Sequence, residues 1–311
     1  PQESSTAEAD STRVAGSSDA LATQLDALAT QLDSVALPDS VALPDSVALP
    51  DRVSVWNVPF DRVTMDGALD RIESLIERRT PSYAITANLN YTMLHNRSPQ
   101  IQQITEAADL VLADGQPIVW RSRWSDRPLP ERVPGSEMIY HLARRASEKG
   151  WRVFFLGGRP SVARRCSQRL TELYPGLKIA GVESPPFREL TEEEQADQQQ
   201  RIRDSGATIL LVAFGQPKGE QWIAQNYRKI GVPLSIQLGA SFDFVAGTAQ
   251  RAPEAWQRLG VEWAYRMLSN PRRLVPRYAA NAWFLLAALA YECGTAMNDF
   301  RRRQGSASSS A

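Results

Sequence analysis

Residues 151–173 read WRVFFLGGRPSVARRCSQRLTEL, and this stretch decides the fold. From Trp151 to Leu156 it is a short apolar run rich in β-branched and aromatic side chains, the composition of a strand buried on both faces. Gly157-Gly158-Arg159-Pro160 ends that run, and an amphipathic segment follows at once from Val162 to Leu173. The same alternation extends in both directions. Tyr83–Ala87, Leu110–Ala113, Lys178–Val182, Thr208–Phe214 and Leu234–Leu238 read as strands, and Met65–Arg79, Ser136–Lys149 and Glu192–Asp204 as helices between them. Strands that are apolar throughout and alternate with helices predict an α/β, Rossmann-like, mostly parallel sheet with helices on both faces.

Composition bounds what such a sheet can do. The chain has 311 residues, with 35 basic and 35 acidic side chains, enough length for a sizeable core and no basic excess for holding nucleic acid. The two cysteines, Cys166 and Cys293, offer no disulfide framework and point to a reducing compartment. With His95 and His141 the only histidines, H-E-x-x-H zinc spacings cannot be built. The chain shows no charged-then-apolar signal sequence and no run of about 18 apolar residues, so a cytoplasmic protein is expected. Charge is unevenly distributed. Residues 1–52 carry nine acids against Arg13 and Arg52, a net −7 that leaves +7 on the rest. ALATQLD occurs twice from Ala20 to Asp33, and VALPD three times from Val35 to Asp51. Two heptads are too few for a coiled coil and the recurring prolines stop a helix, so this segment is expected to be a disordered acidic leader.

In open α/β sheets ligands bind beyond the carboxyl ends of the strands. Those ends read Thr86-Ala87-Asn88, Asp114-Gly115, Gly157-Gly158-Arg159-Pro160, Gly215-Gln216-Pro217-Lys218 and Gly239-Ala240-Ser241-Phe242-Asp243. Glycines that admit a ligand to the backbone, with carboxylates and amides nearby, suit a nucleotide, and a helix starting near Ser161 would aim its N–H groups at a diphosphate. Each element also has a plainer reading: Gly157-Gly158 as a simple turn, Asp114 as a helix cap, Gln216 as a surface residue.

Several chemistries lack their motifs. Asp-x-Asp, the carboxylate pair that holds a divalent ion on a sugar nucleotide, does not occur, and neither do G-x-x-x-x-G-K-[ST], G-x-S-x-G or a strand-borne G-x-G-x-x-G. An enzyme that handles a diphosphate without metal must meet its charge with cations and backbone donors. The chain has 31 arginines against four lysines, and arginine binds phosphate in a planar, bidentate way.

Taken in order, Thr86-Ala87-Asn88, Ala108-Asp109, Ala113-Asp114-Gly115, Glu131-Arg132-Val133-Pro134-Gly135 and Phe155-Leu156-Gly157-Gly158 form a recognisable series. It continues through Gly215-Gln216-Pro217-Lys218-Gly219-Glu220, Phe242-Asp243, Ala246-Gly247, Arg251-Ala252-Pro253 and Glu262-Trp263-Ala264-Tyr265-Arg266. From about Val53 to Tyr278 the chain resembles the WecG/TagA/CpsF glycosyltransferases, which build teichoic acid linkage units, enterobacterial common antigen and related exopolysaccharides. The resemblance implies inverting, metal-independent transfer of a sugar, typically N-acetylmannosamine, from a UDP-sugar to a sugar on undecaprenyl diphosphate at the inner membrane face. It places Asp114 as the catalytic base with Thr86 beside it, and Asn88, Arg132 and Gln216 at polar positions of the site. Gly157 and Gly158 would face the diphosphate, Asp243 the uridine hydroxyls, and Lys218, Arg266 and Arg273 would supply positive charge to the substrates. No cofactor or metal is implied. Gly219 departs from the family pattern, in which many members carry a glutamine, and this bears on donor or acceptor identity. A nicotinamide-type nucleotide enzyme and a non-catalytic sugar-nucleotide binding module stay open as alternatives.

The C-terminal part is expected to be a helical appendage over residues 251–300, after a catalytic domain at 53–250 and before a disordered tail at 301–311. Arg251, Arg258, Arg266, Arg272, Arg273 and Arg277 precede the apolar run Ala279–Tyr291. Thirteen helical residues rise about 20 Å, short of the roughly 30 Å hydrocarbon core. The run reads either as a helix packed on the domain or as an interfacial helix touching anionic lipid, with Arg301-Arg302-Arg303 as a second basic contact. The family resemblance favours the membrane contact. A homo-oligomer is compatible with the sequence, which does not fix the assembly.

Overall fold

The computed structural model describes residues 51–249, 253, 256, 262–269 and 271–308, with some side chains of the last two segments outside the description. The acidic leader lies outside the described residues apart from Asp51 and Arg52.

Six parallel strands form the sheet: β3 (Ser82–Ala87), β4 (Leu110–Ala113), β5 (Arg152–Gly157), β6 (Lys178–Glu183), β7 (Ile209–Ala213) and β8 (Leu234–Gln237), in the order β4-β3-β8-β7-β5-β6. The expected α/β sheet is therefore present. An antiparallel hairpin, β1 (Arg52–Val55) and β2 (Val58–Asp61), precedes it and was not anticipated from the sequence. Its two-residue turn places Trp56 and Asn57 at φ of 47° and 66°, a conformation that usually recruits glycine. Buried Asp61 seats the hairpin by accepting Val111 N–H at 2.7 Å and the Arg52 guanidinium at 3.2 Å.

Strand residues alternate between two cores. Val153, Phe155, Ile209, Leu211, Leu234 and Ile236 face one side. There they meet α1 (Met65–Glu77), α5 (Gly135–Lys149), α6 (Pro160–Leu173) and the short α9 (Ser241–Val245). Phe154, Leu156, Leu210, Val212 and Ile85 face the other. That side is covered by the hairpin, α2 (Leu89–Arg97), α3 (Pro99–Glu106), α4 (Gln116–Ser122), α7 (Glu192–Asp204) and α8 (Lys218–Ile230). Buried Cys166 belongs to the first core, and burial pushes its thiol up to about 12, an inert group.

Beyond the sheet come α10 (Glu262–Ser269) and α11 (Pro271–Ser308). The boundary expected at residue 300 falls inside α11, which takes in Arg301–Arg303. The apolar run divides between two faces of this helix. Phe284, Leu285 and Ala288 pack on the second core, with Phe284 edge-on to Trp56 at 6.2 Å, and Glu292 meets Arg121 of α4 at 2.7 Å. Trp283 and Leu286 stand 70% and 63% exposed on the opposite face, with Ala279, Ala282, Ala287 and Tyr291. Among the described residues, no helix is long and apolar enough to cross a membrane.

Candidate active site

All six strands point the same way, so the carboxyl ends of β3, β4, β5, β7 and β8 share one edge. β5 and β7 are neighbours whose onward connections run in opposite directions, to β6 and to β8, which opens a crevice between their loops.

Asp114 begins where β4 stops. Its N–H donates to the Ala87 carbonyl at 2.9 Å, extending the β3–β4 pairing by one residue, and its side chain is half-buried. The last residue but one of β3, next to it, is Thr86, a buried residue whose hydroxyl donates to the Gln237 carbonyl of β8 at 2.9 Å. Asn88 caps α2: its side-chain oxygen accepts the Tyr91 N–H at 3.1 Å. The Arg132 loop closes on the same edge, because Val133 N–H donates to the Ala113 carbonyl at 2.9 Å. Gly135 follows it, and a Cβ there would lie 3.3 Å from the Thr86 hydroxyl oxygen. Arg132 itself meets Glu137 at 3.3 Å.

The β5 and β7 loops form the other wall. Gly157 sits at φ of 105°, and a Cβ would fall 2.9 Å from the Ala213 backbone, so this turn requires glycine. Gly158 N–H donates to the Ala213 carbonyl at 3.0 Å. Arg159 then starts α6 and approaches Asp243 of α9 at 3.7 Å, while Thr248 donates to the same carboxylate oxygen at 3.0 Å. From the β7 loop, Gln216 reaches back to β3: Nε2 donates to the Thr86 carbonyl at 3.4 Å, and Oε1 accepts from Asn90 of α2 at 3.2 Å and Arg277 of α11 at 3.4 Å. Lys218, the first residue of α8, is exposed.

The structure thus gathers Thr86, Asn88, Asp114, Arg132, Gly157, Gly158, Gln216, Lys218 and Asp243 along one edge of the sheet. The side chains of Arg266 and Arg273 lie outside the described residues. Three long helices, α5, α6 and α8, begin at this edge without a side-chain cap, whereas α1, α2, α3 and α7 are capped by Thr64, Asn88, Ser98 and Thr191. Uncapped first turns present N–H groups and the positive end of the helix dipole to an anion. Among the described residues no group of three His, Cys, Asp or Glu side chains is placed to hold a metal.

Sequence reasoning passed over Asn90 and Gln237, and it named Arg277 only among the basic residues of the appendage and Glu220 only within the family series, with no site role for either. Glu220 is 1% exposed, and neither carboxylate oxygen has a hydrogen-bond partner. Burial pushes its carboxyl up to about 7, against the lowering influence of its own N–H, the nearby Gln216 amide and Arg277. Gln237 is 2% exposed, and its Nε2 is likewise unpartnered. The glycine at 219 has a local cause: a Cβ there would lie 2.5 Å from the Gln237 carboxamide. Gln237 occupies the volume that a side chain at 219 would need.

A profile of the glycosyl transferase WecG/TagA/CpsF family matches residues 53–297. An N-acetylglucosaminyldiphosphoundecaprenol N-acetyl-beta-D-mannosaminyltransferase of Bacillus spizizenii is 29% identical over 208 residues, covering 65% of this chain and 79% of that protein. A protein of the same name from Bacillus subtilis strain 168 is 27% identical over 233 residues, covering 73% and 89%.

Replacing Gly219 with alanine forces the buried Gln237 side chain to move. The variant should lose about 1–3 kcal/mol of stability, the usual range for overpacking. Chemical denaturation of Gly219→Ala beside wild type measures this, and an unchanged midpoint would mean that Gln237 gives way freely.

Proposed function

The chain belongs to the glycosyl transferase WecG/TagA/CpsF family, and from that premise we propose that it moves N-acetylmannosamine from a UDP-sugar to N-acetylglucosaminyl-diphosphoundecaprenol, with inversion and without metal. The observation that carries this reading is Asp114, a half-buried carboxylate at the strand edge where helices with uncapped first turns converge. The acceptor hydroxyl gives its proton to the Asp114 carboxylate as its oxygen bonds to the anomeric carbon. The bond from that carbon to the UDP oxygen breaks on the opposite face, and UDP departs with the electron pair. Arg132, Arg159, Lys218 and the first turns of α6 and α8 are the groups available to meet its charge. Thr86, Asn88 and Gln216 line the sugar side, and Asp243 is assigned to the uridine hydroxyls. Arg266 and Arg273 keep their assignment to the substrate phosphates as part of the proposal.

The acceptor is a lipid, so the enzyme must work at a membrane surface, here the inner face of the cell membrane. The outward face of α11, with Trp283, Leu286 and Tyr291, suits the boundary between headgroups and acyl chains. Neighbouring arginines, Arg272 and Arg277, would add attraction to anionic lipid.

A panel of UDP-sugars incubated with the lipid acceptor in EDTA and read by mass spectrometry tests the reading. It should yield a disaccharide lipid from UDP-N-acetylmannosamine, whereas activity that returns only with Mg²⁺ or Mn²⁺ would remove the metal-independent mechanism. Asp114→Asn is nearly isosteric and should keep the melting temperature while slowing turnover by about 10²–10⁴-fold, the span of a general base. A near-wild-type rate at saturating acceptor would take Asp114 out of the mechanism. Changing Trp283 and Leu286 together to glutamate should leave the fold intact, since both side chains are exposed, and abolish sedimentation with anionic liposomes. Equal sedimentation of variant and wild type would free α11 of this role.

A further inference from the structure

Large aromatic side chains gain by leaving water, and several of them exposed together on one surface mark a place that something covers. α4, the seven-residue helix that starts two residues after Asp114, ends in such a place. Trp120 is 46% exposed, and Trp124, in the turn beyond the helix, is 72% exposed. Both are held in position. The Arg123 and Trp124 N–H groups donate to the Trp120 and Arg121 carbonyls, each at 3.2 Å, and buried Ser122 accepts the Leu129 N–H at 3.0 Å. The Arg121 guanidinium lies over the Trp124 ring, 5.3 Å from its centre, and its Nε donates to the two Glu292 oxygens at 2.9 and 2.7 Å. The end of α4 and α11 are thereby joined in one surface, on which Tyr291, the neighbour of Glu292, is also exposed.

We propose that Trp120 and Trp124 form a second membrane contact, on a different element from the outward face of α11 and continuous with it. This rests on the reading above that the acceptor is a lipid. A helix lying alone in the interface leaves the body free to roll about the helix axis, and an aromatic contact off that axis removes the freedom. Indoles favour the headgroup level, where the ring meets the acyl boundary and the N–H stays wet. Arg123, exposed between the two tryptophans, faces anionic phosphates there. Arg121 and Arg127 are already engaged by Glu292 and Asp51, and Asp126 adds a negative charge, so the contact draws on indole burial more than on charge. α4 is about 10 Å long, so docking its far end keeps the candidate base at its near end close to a sugar carried on a lipid diphosphate.

The test uses the full chain and vesicles of phosphatidylglycerol and phosphatidylcholine. Trp120→Ser combined with Trp124→Ser should keep the melting temperature and partition onto the vesicles about tenfold more weakly than wild type. Trp124→Ser alone spares the half-exposed Trp120, should lose about threefold, and decides the matter if the double variant melts lower. Leu173→Ser changes an exposed apolar residue at the far end of α6, which runs back from the site edge, and should partition as wild type. Vesicles should also slow backbone hydrogen exchange over residues 120–127 together with α11. Wild-type partitioning by both tryptophan variants, an equal loss in Leu173→Ser, or protection of α11 alone would each overturn the proposal. So would a wild-type protein that ignores the vesicles at low salt, or a dimer in solution that the tryptophan variants dissolve, which would give the patch to a second copy of the chain. Partitioning and exchange need no turnover: if the wild type transfers no sugar, the glycosyltransferase reading falls and these two measurements still decide the contact.

Discussion

A parallel sheet covered by helices on both faces has no polar side, and that constraint organises this molecule. Along β5 and β7, residues facing one way join one core and residues facing the other way join the second. Polar side chains can remain in such strands only near their ends, where loops and helix termini offer partners. Thr86 and Gln237 are the last or next-to-last residues of their strands, and the Thr86 hydroxyl is satisfied by the carbonyl of Gln237. The fold thus expels its chemistry to one edge. Asp114, the glycines after β5 and the Gln216 loop are there because the strands stop there.

The second constraint comes from α11. A helix that packs on a domain through one stripe and leaves apolar side chains exposed on another has apolar residues around most of its circumference, as the run Ala279–Tyr291 does. Phe284 and Leu285 turn inward while Trp283 and Leu286 turn outward. The inward stripe is supported by the Arg121–Glu292 ion pair, which ties the helix to α4, the element that begins directly after Asp114 and Gly115. Movement of the appendage is therefore mechanically close to the candidate base.

The strands were legible because runs such as Thr208–Phe214 have no polar interruption, and Glu192–Asp204 because its start carries a Thr191–Glu194 capping box. The hairpin was not legible: Trp56-Asn57 turns without the glycine that usually signals such a turn. α2 and α3 were hidden as well, since Asn90, His95, Asn96 and Gln100 mask their apolar stripe. His95 is satisfied inside the structure by Thr105 and the Asn57 carbonyl, both at 3.1 Å, and burial lowers its pKa, which makes it a neutral packing residue. The site was visible as a set of loops because ligands in parallel sheets have only one place to go. Glu220 was not, because an acidic residue in the first turn of a helix normally reads as a solvated partner for the helix dipole. Its burial is a tertiary outcome that no local pattern encodes.

The ion pairs at the edge bear on how a diphosphate could be taken up. Arg132 meets Glu137 at 3.3 Å and Arg159 meets Asp243 at 3.7 Å, and all four side chains keep appreciable solvent exposure. Pairs of this kind contribute only about 0–1 kcal/mol, so exchanging the carboxylate for a phosphate oxygen costs little. A guanidinium held loosely by a neighbouring carboxylate is oriented before the ligand arrives and still available to it. Glu220 presents the opposite arrangement, a carboxyl that is enclosed at the same edge and pushed up to about 7 by its burial. The edge therefore combines exchangeable cations, suited to a leaving group that must come and go, with one enclosed carboxyl whose charge burial holds back.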